Sequence, residues 1–140
     1  MTYEIRTPLL IGKLIEMAKT VPNVPVDKLE QMMIQGLTEK DSKVFVDEIN
    51  KEVRGFIFGT KESIDGEDVI FIQFSVIRPD KEEKHIGFEL LLKMRLWAKE
   101  NNIKWLYTMT NRNPKPYMRK YKFEFAYTML KRRVEDERII

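Results

Sequence analysis

Apolar positions along this chain recur at two spacings, and the switches between them assign most of the elements. Residues 3–6 read as a short strand that stops at Thr7-Pro8, where Thr is expected to cap a helix and Pro to take its first position. Leu10, Leu14, Ile15, Met17 and Ala18 then recur at helical spacing until Val21-Pro22-Asn23-Val24-Pro25 breaks the run. A second helix, residues 27–37, carries Leu29, Met32, Met33 and Leu37 on one side, a face read as core in preference to a substrate groove. Residues 43–49 and 52–59 form a hairpin about Asn50-Lys51. Residues 69–77 are almost wholly apolar, interrupted by Gln73 and Ser75, as expected of a strand covered on both faces in the middle of a sheet. Asp65-Gly66 is the turn before it.

The next helix has one apolar face, made by Ile86, Leu90, Leu91, Met94, Trp97 and Ala98, and ends at Asn101-Asn102. Residues 104–110 are a further strand, so that strand, helix and strand make a parallel unit with a right-handed crossover. A polar turn from Asn111 to Pro116 leads to a short helix at 117–121, a last strand at 123–131 and a charged tail at 135–138. The most informative stretch is 74–91, where an apolar strand passes through a polar turn into an amphipathic helix. Such a junction gathers unpaired backbone N–H groups at the positive end of a helix dipole, so the expected ligand is anionic.

Composition narrows the chemistry. With 140 residues, 43% of them hydrophobic, the chain suits one domain, 1–140, with one core. No apolar run of about 18 residues is present and the first residues lack a signal-peptide layout, which points to a cytoplasmic protein without membrane partners. Zero cysteines exclude disulfides and thiolate chemistry, and the single His85 argues against a metal site. A net charge of +3, from 25 basic and 22 acidic residues, suits a nucleic acid or a phosphorylated cofactor equally.

The element order strand, two helices, three strands, helix, strand, short helix, strand resembles the GNAT superfamily of acyl-coenzyme A dependent N-acyltransferases. That family's signature is Arg or Gln, two residues, Gly, one residue, then Gly or Ala, after a strand ending in a proline-containing turn. Here Pro79 and Glu82-Glu83-Lys84-His85-Ile86-Gly87 occupy the span, with Leu90-Leu91 as the apolar pair that follows. Glu82 stands in place of Arg or Gln and His85 in place of the first glycine; Lys81 and Lys84 would have to offset the charge of Glu82. Asn111, Pro114, Met118 and Phe123 fall at the spacings of a second family pattern, in which Met118 takes the place of a tyrosine and Lys122 that of a glycine.

The resemblance implies an α/β (α+β) fold with a mixed central sheet of about six to seven strands flanked by helices. It implies acetyl-coenzyme A as cosubstrate, no metal, and direct transfer of the acetyl group to a primary amine of a small molecule or a protein. Val76, Ile77, Lys84, His85, Ile86, Gly87, Phe88 and Asn111 would bind the cofactor, and the Ile77 N–H could polarise the thioester carbonyl. Tyr117, beside Met118, would protonate the leaving thiolate, with Tyr121 a weaker candidate. Glu67 and Asp68 are the carboxylates nearest to where the family often keeps one, although a turn position suits solvent equally. The departures keep open a second class, a GNAT-like protein that binds coenzyme A or a partner without catalysis. A nucleic-acid module is the third: Arg112, Lys115, Arg119, Lys120 and Lys122 with stacking tyrosines would fit it, but a positive rim beside the coenzyme's phosphates needs fewer assumptions. The aromatic last strand would also support a homodimer.

Overall fold

The computed structural model describes residues 1–78, 84–110 and 115–135, divided into two compact units, Met1–Met109 and Thr110–Ile140. The first unit holds β1 (Thr2–Ile5), a 3-10 turn (Pro8–Leu10), α1 (Ile11–Ala18), α2 (Val26–Leu37), β2 (Ser42–Ile49), β3 (Glu52–Ile64), β4 (Glu67–Ile77), α3 (Lys84–Glu100) and β5 (Leu106–Thr108). The sheet runs β1-β2-β3-β4-β5, antiparallel at its first three pairings and parallel between β4 and β5. Among the described residues no helix is long and apolar enough to cross a membrane.

Both hairpins turn through left-handed residues. Asn50 and Lys51 have φ of 51° and 64°, and Asp65 and Gly66 have 53° and 79°, the two-positive pattern whose twist matches that of paired strands. The second hairpin carries β3 to Ile64, beyond the expected end at residue 59, because Lys61, Glu62 and Ser63 are polar and hide the strand from an apolar pattern. Thr7 is extended but makes no side-chain cap bond; Pro8 opens the 3-10 turn instead, and α1 starts three residues later.

Alternation along β3 divides the helices between the two faces of the sheet. Phe56 and Phe58 join Leu14, Ile15, Leu29, Met33, Val44 and Val46 in the core under α1 and α2. The glycines on either side of them face α3: a Cβ on Gly59 would lie 2.7 Å from Met94 Sδ, and one on Gly55 would lie 3.2 Å from Ile86 Cγ2. The methionine face of α2 is core, with Met33 fully buried and Met32 packed against the cluster.

Two bulges reset this alternation. The β2–β3 register passes from Asp47↔Gly55 to Glu48↔Val53 and leaves Arg54 as the extra residue on β3. The β3–β4 register passes from Phe58↔Phe74 to Gly59↔Ile72 and leaves Gln73 extra on β4. Ile70 accordingly meets the α3 face beside Gly59, whereas Val76 belongs to the core under α1 and α2.

The sheet has five strands where six to seven were expected. In the second unit α4 (Lys115–Tyr121) ends at Lys122, which takes the left-handed φ of 59°. Residues 122–133 form no strand, against the expectation for 123–131. Their alternating Phe125, Tyr127 and Met129 are exposed: an apolar alternation supplies a face, but only ladder hydrogen bonds to a neighbour make a strand.

Phe58 fills the space over Gly36 of α2, whose missing Cβ would lie 2.8 Å from the ring. Phe58→Ala should therefore destabilise the protein by about 3–5 kcal/mol, read as a lower urea midpoint with an unchanged m-value.

Candidate functional site

The parallel ladder between β4 and β5 is short. It holds Ile70↔Leu106, Phe71↔Tyr107 and Ile72↔Thr108, with the Ile70 N–H donating to the Trp105 carbonyl at 3.1 Å. At its end the Thr108 hydroxyl donates to the Ile72 carbonyl at 3.3 Å. β4 continues to Ile77 and stays paired with β3 throughout, down to Gly55↔Ile77. Among the described residues β5 supplies no ladder partner beyond Ile72, so residues 73–77 extend past their parallel neighbour.

The direction of that edge follows from one hydrogen bond. Arg78 N–H donates to the Arg54 carbonyl of β3 at 2.9 Å, and successive residues of a strand present their backbone groups to opposite edges. Ile77 and Ser75 therefore turn their N–H and C=O groups toward the β5 side, while Val76, opposite Phe56, turns toward β3. A molecule carrying amides in an extended chain can pair with such an edge as a further strand would.

Beside this edge α3 begins. Its 17 residues are held to the sheet through the close packing at Gly55, whose absent Cβ would lie 3.2 Å from Ile86 Cγ2, 3.4 Å from Ile77 Cγ1 and 3.1 Å from the Val76 carbonyl. The end of β4 and the first turn of α3 thus meet over one glycine. Ile86 is buried in that contact and Gly87 beside it in the chain is buried too, while His85 and Phe88 lie exposed. The first turn of α3 contains no acidic side chain. The dipole of any helix favours negative charge at such an end.

Beneath the junction lies a buried ion pair. Arg54 Nε donates to Asp47 Oδ2 at 2.7 Å, and the Thr2 hydroxyl donates to Asp47 Oδ1 at 3.3 Å. The next residue of β2, Glu48, accepts from the Tyr3 hydroxyl at 2.9 Å. Desolvation first, and then the bond and charge of Glu48, push the Tyr3 phenol above its ordinary value. Arg78 forms a salt bridge to Glu52 at the neighbouring hairpin.

The expected cofactor residues divide by position. Val76, Ile77, Lys84, His85, Ile86, Gly87 and Phe88 are brought to this one junction, Val76 with its side chain in the core. Asn111 lies outside the described residues, as do Pro79, Glu82 and Pro114. Tyr117 lies in α4 of the second unit, with Met118 and Tyr121 on the same helix. Glu67 and Asp68 are exposed at the opposite end of β4 from Ile77. Among the described residues no group of three or more His, Asp or Glu could hold a metal ion. Sequence reasoning missed Arg54, Gly55 and the bulge at Gln73. A signal was present in the glycine itself, since an isolated Gly within an apolar strand marks a bulge or a close approach.

No protein-family model and no curated sequence matches this chain. Solved structures do. An apo aminoglycoside 6'-N-acetyltransferase from Acinetobacter haemolyticus aligns over 96% of this chain and 98% of its own at 12% identity, with a TM-score of 0.80. A predicted acetyltransferase from Clostridium acetobutylicum, solved with acetyl-coenzyme A, aligns over 96% of both chains at 17% identity and a TM-score of 0.76. A ribosomal-protein-alanine N-acetyltransferase from Brucella melitensis aligns over 94% of this chain and 98% of its own at 12% identity and a TM-score of 0.69.

The contact at Gly55 is testable alone. Gly55→Val places branched carbons against the Val76 carbonyl, which as backbone cannot swing aside. The substitution should cost about 1–3 kcal/mol and speed amide exchange in the first turn of α3 more than in α1 or α2, as read by hydrogen exchange.

Proposed function

We propose that this chain, which has the fold of the GNAT superfamily, is an N-acetyltransferase that moves an acetyl group from acetyl-coenzyme A to a primary amine. The observation that carries the reading is the run of β4 past its parallel ladder, to end beside the start of α3. An extended ligand with amides in its middle and a pyrophosphate at one end matches an open strand edge followed by a helix N-terminus. Coenzyme A has that chemistry.

The backbone edge at Ser75 and Ile77 would pair with the pantetheine amides, and the N–H of Ile77 would polarise the thioester carbonyl. The N–H groups of Lys84, His85, Ile86 and Gly87 would take the pyrophosphate, with Phe88 flanking them. The neutral amine attacks the carbonyl carbon, its nitrogen gives up a proton to water, the carbon–sulfur bond breaks, and the thiolate leaves with a proton from a donor. Tyr117 is assigned as that donor, since a phenol near pKa 10 is matched to a thiolate, and Asn111 as a further cofactor contact. One solved structure of this fold, an aminoglycoside N-acetyltransferase, is in complex with a coenzyme A–acetylneamine bisubstrate analogue, which supports a small amine as one acceptor class beside a protein amine.

Calorimetry with coenzyme A tests the binding half. The native chain should bind, and His85→Glu should raise Kd about tenfold by setting a negative charge beside the phosphates, while the same charge at a helix start leaves stability unchanged or slightly higher. Absence of binding at millimolar coenzyme A overturns the reading. The catalytic half is tested by thiol release across a panel of amines. Tyr117→Phe should lower turnover by about 10²-fold with coenzyme affinity unchanged, and turnover that survives intact removes Tyr117 from the mechanism.

A further inference from the structure

Resting on that reading, we infer that Gln73 is a positioning residue for the coenzyme edge: tied through Thr60 to Glu62, its side chain helps to hold the bulge of β4 at the point where the ladder to β5 ends. The coenzyme itself would meet only the backbone beyond it.

The bulge decides which residues meet the ligand. Before it, Ile70 and Ile72 turn their backbone groups toward β5, as the bond from the Ile70 N–H to the Trp105 carbonyl and that from the Thr108 hydroxyl to the Ile72 carbonyl show. After it, Ser75 and Ile77 do so, because one extra residue reverses the alternation. A bulge two residues further along would put Phe74 on the open side in place of Ser75. Where the extra residue sits therefore sets which backbone groups make up the edge.

Gln73 has no partner in the β3 register, but its side chain finds one. Its Nε2 donates at 3.0 Å to the hydroxyl of Thr60, the residue that pairs with Phe71 just before the bulge. Just after the bulge, Phe74 pairs with Phe58 and packs against the core cluster. The bulge is thus bracketed by a polar tie on one side and an apolar contact on the other. The polar tie has a fixed sense. Thr60 gives its one hydroxyl hydrogen to Glu62 Oε1 at 2.9 Å, so toward Gln73 it can only accept, and the amide must present its NH2 group. Among the described residues no other side-chain hydrogen bond reaches Gln73, Thr60 or Glu62, so loss of one hydroxyl breaks the whole series.

Valine in place of Thr60 keeps the branched shape and strand preference and removes the hydroxyl, whereas serine keeps the hydroxyl. Calorimetry with two ligands tests the assignment: coenzyme A, and 3'-phospho-ADP, which is coenzyme A without its pantetheine arm. In Thr60→Val and in Gln73→Leu we expect the Kd for coenzyme A to rise about fivefold and that for 3'-phospho-ADP to stay native, because only the arm pairs with the edge. Thr60→Ser should bind both ligands as the native chain does. Gln73→Leu carries the test if Thr60→Val does not fold. Native coenzyme affinity in Thr60→Val and Gln73→Leu overturns the inference and leaves the acetyltransferase reading intact. So does an equal loss for the two ligands, the mark of a merely structural role, and so does a Thr60→Ser chain that binds coenzyme A as weakly as Thr60→Val. Failure of the native chain to bind coenzyme A overturns both.

Discussion

The packing of α3 onto β3 at two glycines is the contact on which the rest of the first unit depends. β3 faces α3 with Gly55 and Gly59, which admit Ile86 and Met94 to van der Waals contact with the sheet. On its other face the same strand carries Phe56 and Phe58, fully buried under α1 and α2. One side of β3 thus fills space and the other yields it. Because β2 and β4 both pair with β3, a shift in its register would reach every strand but the outermost pair.

The same arrangement explains how an open edge survives within a sheet. Residues 73–77 of β4 extend beyond the β4–β5 ladder, and an unpaired strand edge invites unwanted pairing. Here that edge is short, begins at a bulge, and is anchored along its other side to β3 through Ile77 and then Arg78. Preorganised backbone donors are worth more to a ligand than flexible ones because their ordering cost is met in folding.

Local pattern made the element order and the junction legible. The apolar run 69–77 marked a central strand, the spacing from Ile86 to Ala98 marked the helix face, and Asn50-Lys51 and Asp65-Gly66 marked the hairpins, because period and turn chemistry are properties of neighbouring residues. Thr7 misled because a threonine before a proline fits a cap whether or not its hydroxyl reaches a backbone N–H. The segment 123–131 misled for a deeper reason. Its alternation is real, with Phe125, Tyr127 and Met129 on one side, but a strand exists only where another strand supplies its hydrogen bonds.

The sequence by itself determined which residues must be buried, where the chain must turn, and that a strand would deliver its end to a helix start. Tertiary structure alone decided which face each residue joined. Arg54 and Gln73 each add one residue to a ladder, and one residue reverses every side chain beyond it. Ile70 and Val76 have the same parity in the chain yet lie on opposite faces of the sheet. No alternation rule yields that result, since a bulge is a relation between two strands that the order of residues in one cannot express. The direction of the Ile77 backbone, and with it the candidate site, is settled by that relation.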